Sequence, residues 1–190
     1  QFRRPEPLCI TLGGTADAYP ATLNVANAPT VIGSMRVTLY DLSYTVPDHI
    51  DALLVGPGGQ EFIIMGDAGG AVSIPTDNTV TLSFTDVATA VLSNSGPLMT
   101  GNFEPTSWES PVNNFPAPAP AGPYSEAGST IGGTGVQTFF GNFGLTNANG
   151  QWRLYLRDDA GNPVQTPESI SGCFGGGWGI EFFASTAANA

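Results

Sequence analysis

The chain has 190 residues, 41% of them hydrophobic, with 16 acidic side chains, five arginines, no lysine and a formal net charge of −11. That length and apolar content suit a single domain around one core, and the charge argues against nucleic acid or membrane as a partner, because phosphate backbones and anionic headgroups need Lys/Arg neutralisation. No apolar run reaches the roughly 20 residues that span a bilayer as a helix; 25 Gly and 16 Pro beside 10% aromatic residues describe a turn-rich β protein.

Residues 1–7 read as an N-terminal extension, with a stiff Arg3-Arg4-Pro5-Glu6-Pro7 lead, and residues 8–190 as one domain. The first apolar strand is expected over 8–12, the next over 21–25. Alternation of apolar and polar side chains at period 2 then marks a strand through Val37, Thr38, Leu39 and Tyr40. Residues 47–70 hold two apolar strands, 50–55 and 61–65, joined by Gly56-Pro57-Gly58-Gly59 and followed by Asp67-Ala68-Gly69-Gly70. This is a hairpin in which Pro57 takes the second turn position and Gly58 the third, where a positive φ is required.

Val80, Leu82 and Phe84 alternate with Thr81 and Ser83, residues 86–93 suit at most a brief helical turn, and the Pro-Ala repeat between Phe115 and Tyr124 reads as a polyproline-like crossover anchored at both ends by aromatic rings. A strand is expected over 135–142. Two clear alternating strands close the chain, through Trp152, Leu154 and Leu156 and through Trp178, Ile180 and Phe182. Short strands at this spacing, broken by Gly, Pro, Asn and Asp, predict an all-β antiparallel sandwich with Trp152 and Trp178 in its core.

Cys9 lies in the first apolar segment and Cys173 just before the last. An even cysteine count in a chain of extracellular character points to a Cys9–Cys173 disulfide, with two buried thiols as the alternative. The chain is expected to be secreted, extracellular or at a cell surface.

The order of motifs carries a resemblance. Residues 38–70, 80–84, Gly96-Pro97 and 115–124, then Asn149-Gly150-Gln151-Trp152-Arg153-Leu154-Tyr155-Leu156-Arg157-Asp158-Asp159-Ala160-Gly161 and Gly176-Gly177-Trp178-Gly179-Ile180, resemble the P-domain-like module of bacterial secreted and surface proteins, related to the domain that follows the catalytic domain in subtilisin-like proprotein convertases. The resemblance implies a galactose-binding-like jelly roll without catalytic activity.

The residues themselves offer little for catalysis. His49 is the one histidine, and no Gly-x-Ser-x-Gly elbow accompanies it. One histidine and two cysteines are too few for a zinc site, and Gly56-Pro57-Gly58-Gly59 joins two strands, so no helix N-terminus follows to hold phosphate. The chain is expected not to be an enzyme. Calcium is the best metal expectation: Asp48, Asp51, Asp67, Asp158 and Asp159 fall at strand ends or turns, where hard oxygen ligands come from loops. Asp side chains also favour turns for their own hydrogen bonding.

Three roles follow as expectations. The first is a structural subunit that associates with itself or with other surface proteins, through Phe2, Arg3, Arg4, Leu8 and Ile10, into an extracellular filament or surface assembly. Here the basic arm completes the edge strand of an acidic neighbour. The second is a calcium-dependent glycan- or protein-binding module that stacks sugars on Trp108 and Tyr44. The third is an accessory P domain of a secreted protease.

Overall fold

The computed structural model describes residues 1–108, 115–128, 138–160 and 170–184, and within them the chain is a β-sandwich. In chain order the strands are β1 (Phe2–Arg4), β2 (Leu8–Thr11), β3 (Ala21–Val25), β4 (Ile32–Tyr44), β5 (Ile50–Val55), β6 (Glu61–Gly66), β7 (Val80–Phe84), β8 (Gly101–Phe103), β9 (Thr106–Ser107), β10 (Ser125–Glu126), β11 (Gly150–Asp158), β12 (Ile170–Phe174) and β13 (Trp178–Ala184). One short helix, α1 (Phe139–Phe143), precedes β11, and a single 3-10 turn (Pro47–His49) precedes β5.

The first sheet is organised around β4. One edge of β4 carries β7 and then β8; its other edge carries β13 along Ile32–Leu39 and β12 along Leu42–Tyr44. Strand β1 lies on β13, pairing Phe2 with Ile180 and Arg4 with Trp178, and β2 lies on β12, pairing Leu8 with Phe174. Pro5 and Pro7 interrupt the first pair of strands, as Gly175, Gly176 and Gly177 interrupt the second. Proline supplies no ladder donor, and Gly177 sits at φ 69° where a Cβ would meet the Arg4 carbonyl. Cys9 and Cys173 face each other across β2 and β12 and are disulfide-bonded.

The second sheet runs β3-β11-β5-β6 with antiparallel neighbours, and β10 and β9 extend the far edge of β6 in parallel. Period 2 decides its two faces. Leu154 and Leu156 point into the core shared with the first sheet, where Trp152 and Trp178 are fully buried. Leu53, Val55, Ile63 and Tyr155 point the other way and are covered by the proline-rich crossover through Phe115 and Tyr124. Those two rings meet edge to face at 5.6 Å, and three hydroxyls hold the crossover's carbonyls: Tyr19 donates to Pro116, Tyr155 to Pro118 and Tyr124 to Pro120.

Two local expectations change. In the 56–59 turn the positive φ falls on Gly59 (85°), not on Gly58, so the hairpin turns one residue later than composition suggested. Residues 86–93 hold one turn, at Asp86 and Val87, and the Asp86 carboxylate accepts from the Phe139 and Phe140 amides at 2.8 Å each. That contact, with the Thr138 hydroxyl accepting from Gly141, starts α1 where a strand over 135–142 was expected; residues 135–137 lie outside the described residues. Phe139 and Phe143, four apart on one helix face, then enter the core.

Candidate functional site

Charged side chains gather where β4 ends, β5 begins and β11 ends. Arg157 and Asp51 are direct cross-strand partners, so their side chains share a face; Nε and Nη2 of Arg157 both donate to Asp51 Oδ2, at 2.8 and 2.7 Å. The Asp51 side chain is fully buried, and the Arg157 guanidinium also lies over the Phe115 ring at 5.3 Å and 3.9 Å from Asp159 Oδ2. This pair therefore sits on the outer face of the second sheet, beneath the crossover.

Asp158 follows Arg157 in the same strand and must point to the opposite face. There Tyr44, at the end of β4 in the other sheet, donates its hydroxyl to Asp158 Oδ2 at 2.7 Å. Oδ1 accepts from the amides of Gly13 and Ala160 at 3.1 and 3.0 Å, with His49 Nδ1 3.9 Å away. A fully buried carboxylate is thus held by three donors from three parts of the chain. Burial first, then the Asp158 hydrogen bond, pushes the Tyr44 phenol well above its ordinary range, so it remains a donor.

The five aspartates named as calcium ligands are consequently not one cluster. Asp51 and Asp158 lie on opposite faces of a single sheet. Asp159 sides with Arg157, Asp48 follows the 3-10 turn's first residue with its amide on the Gly70 carbonyl, and Asp67 ends β6 in a left-handed conformation (φ 47°). Among the described residues no group of three or more His, Cys, Asp or Glu side chains could hold a metal ion. Tyr44, one of the two rings offered for sugar stacking, is buried in the core, and half-buried Trp108 donates its indole N–H to the Leu92 carbonyl at 3.0 Å.

Among the described residues no hydroxyl is hydrogen-bonded to His49. The neighbouring groove, about 440 Å³ between Ser43, Ser73, Pro75 and Ile170, is lined by hydroxyls and apolar groups and by no charged side chain.

The N-terminal residues named for self-association are already paired within their own domain. Phe2 and Arg4 are in register with β13, Arg3 stacks on Tyr40 at 4.0 Å and donates to the Gly176 carbonyl, and Leu8 and Ile10 are fully buried. Leu8 and Ile10 are held there by burial in the core, with Phe2 packed against it.

Unpaired backbone lies elsewhere. Strand β3 borders the second sheet, bonded on one side to β11, and among the described residues no backbone group of β3 has a partner on the other side. Other edges are short or covered: β1 and β8 have three residues, β9 and β10 two each, and β2 is flanked by the Ile10–Ala16 bridge and the Asp17 amide on the Cys9 carbonyl. Strand β3 has five residues, Ala21-Thr22-Leu23-Asn24-Val25, with no charge, no proline and no bulge. Proteins ordinarily guard such an edge. Sequence alternation could locate β3, but only the sheet order reveals that it is last.

No family model, curated protein or solved structure matches the chain. Among the described residues no helix is long and apolar enough to cross a membrane.

Proposed function

We propose that this chain is a non-catalytic structural module of a secreted or cell-surface assembly, built on a P-domain-like jelly-roll frame and joining copies of itself by strand addition. The observation that carries the reading is the β3 edge, a row of backbone donors and acceptors with no partner among the described residues and the longest such edge there. The disulfide supports an oxidising compartment. The polar end supports a structural role, since the buried carboxylates of Asp51 and Asp158 are each held by donors of this chain.

Sedimentation velocity over a wide range of protein concentration tests it. The expected outcome is a sedimentation coefficient that rises with concentration as copies join; a chain that stays monomeric throughout overturns the reading.

A further inference from the structure

The assembly reading above leaves open which surfaces meet and how many copies close the contact. We infer that two copies join edge to edge through β3, antiparallel, about a two-fold axis that passes Leu23. This inference rests on the reading of the chain as a self-associating module.

The five residues of β3 are self-complementary about their centre. In that register Thr22 faces Asn24 of the second copy, Leu23 faces Leu23, and Ala21 faces Val25. The outward pair joins a hydroxyl to an amide, a favourable cross-strand combination, and continues the side-chain bond already present from Gln151 to Asn24 in the strand behind. The inward set, Ala21, Leu23 and Val25, is apolar and buried, so two cores meet along one seam. A one-residue slip would turn each inward side chain out, which fixes the register strongly.

Charge selects the same place. Each copy carries −11, so contact is least opposed where no acid is present. Residues 18–35 contain no charged side chain. On β11 the residues paired with Thr22 and Asn24 are Arg153 and Gln151, so the outer face beside the seam holds no acid either. The two copies' Arg153 side chains would stand three strand spacings apart, roughly 14 Å, beyond the Debye length at physiological salt.

A two-fold contact of this kind is isologous and closes at two copies. The second sheets of the two copies would merge into one continuous sheet, and the contact would not use the charged end.

The test uses single-cysteine variants, because both native cysteines are disulfide-bonded. Thr22→Cys and Asn24→Cys chains are prepared separately, checked for an unchanged melting temperature, mixed and oxidised. The mixture should give a covalent dimer containing one chain of each kind, whereas either variant alone should not, since like residues sit diagonally with Cα atoms roughly 8 Å apart, too far to bridge. A second pair, Thr22→Lys and Asn24→Lys in one chain, places lysines opposite each other and should abolish association while leaving the fold intact. If the wild-type chain associates but the mixed cysteines do not cross-link, this interface is wrong and the assembly reading stands. If the wild-type chain remains monomeric, both fall, and the edge belongs to a different partner.

Discussion

Tyr44 and Asp158 join the two sheets of the sandwich by one buried hydrogen bond of 2.7 Å, from a phenol that ends β4 to a carboxylate that ends β11. Tyr44→Phe removes the donor and leaves the carboxylate with the two amides of Gly13 and Ala160. A hydrogen bond to a charged group contributes about 1.5–3 kcal/mol, and the variant is expected to lose an amount in that range by urea denaturation at neutral pH.

The same phenol sets the alkaline limit of stability. Burial raises the ionisation of Tyr44, Tyr19 and Tyr124 above the ordinary 10.0 in the folded chain. A folded value above the unfolded one gives a contribution fully present below about pH 10 and lost as pH rises beyond it. Stability is expected to fall above pH 10, less steeply in Tyr44→Phe, as read by denaturation curves at stepped pH.

Asp51 and Arg157 form the opposite face's pair. Asp51→Ala leaves a mostly buried guanidinium without its nearest carboxylate and is expected to cost about 3 kcal/mol, whereas Asp51→Leu combined with Arg157→Leu should recover most of that loss. Equal destabilisation in the single and double variants would show that packing, not charge, holds this position.

Asp86 holds two amides of α1, and Asp86→Ala is expected to cost about 1–2 kcal/mol by freeing them. Burial raises the Asp86 carboxyl above its ordinary 3.8, against the lowering effect of those same amides. Its contribution is therefore fully present below that value and is lost as pH rises through the raised one. Wild type should gain stability relative to Asp86→Asn as pH is lowered towards 4.

Calcium offers a separate check on the acidic turns. With Asp51 and Asp158 on opposite faces and each held by donors of the chain, millimolar calcium and chelator should leave the melting temperature unchanged. A rise with calcium would show ligand binding by mass action and would require these carboxylates to exchange partners.

The strands of the sandwich were legible because apolar side chains recur at period 2 in Val80 to Phe84, where the other face is half-buried, and in Trp152 to Leu156, where Tyr155 on the other face is buried beneath the crossover. The disulfide was legible from count and position. α1 was not: Phe139 and Phe140 read as strand residues, and the carboxylate that starts the helix comes from Asp86, 53 positions away. The placement of the aspartates was hard to read for a related reason. Aspartates in several turns look convergent in one dimension, but adjacency of Arg157 and Asp158 already forces opposite faces once both lie in a strand. The fate of the N-terminal segment depended on β13, and no local pattern in residues 1–7 encodes a partner near residue 180.

That pairing of first strands with last has a consequence for how the chain is made. Strands β1 and β2 emerge early yet have no place until β12 and β13 have been synthesised, as the 164-residue separation of the two cysteines records. Folding dominated by such distant contacts is slow and exposes unpaired strands while it waits. A nascent chain stopped before residue 170 would leave one edge of β4 bare along with β1 and β2, so truncation near the C-terminus should yield aggregation rather than a smaller folded domain.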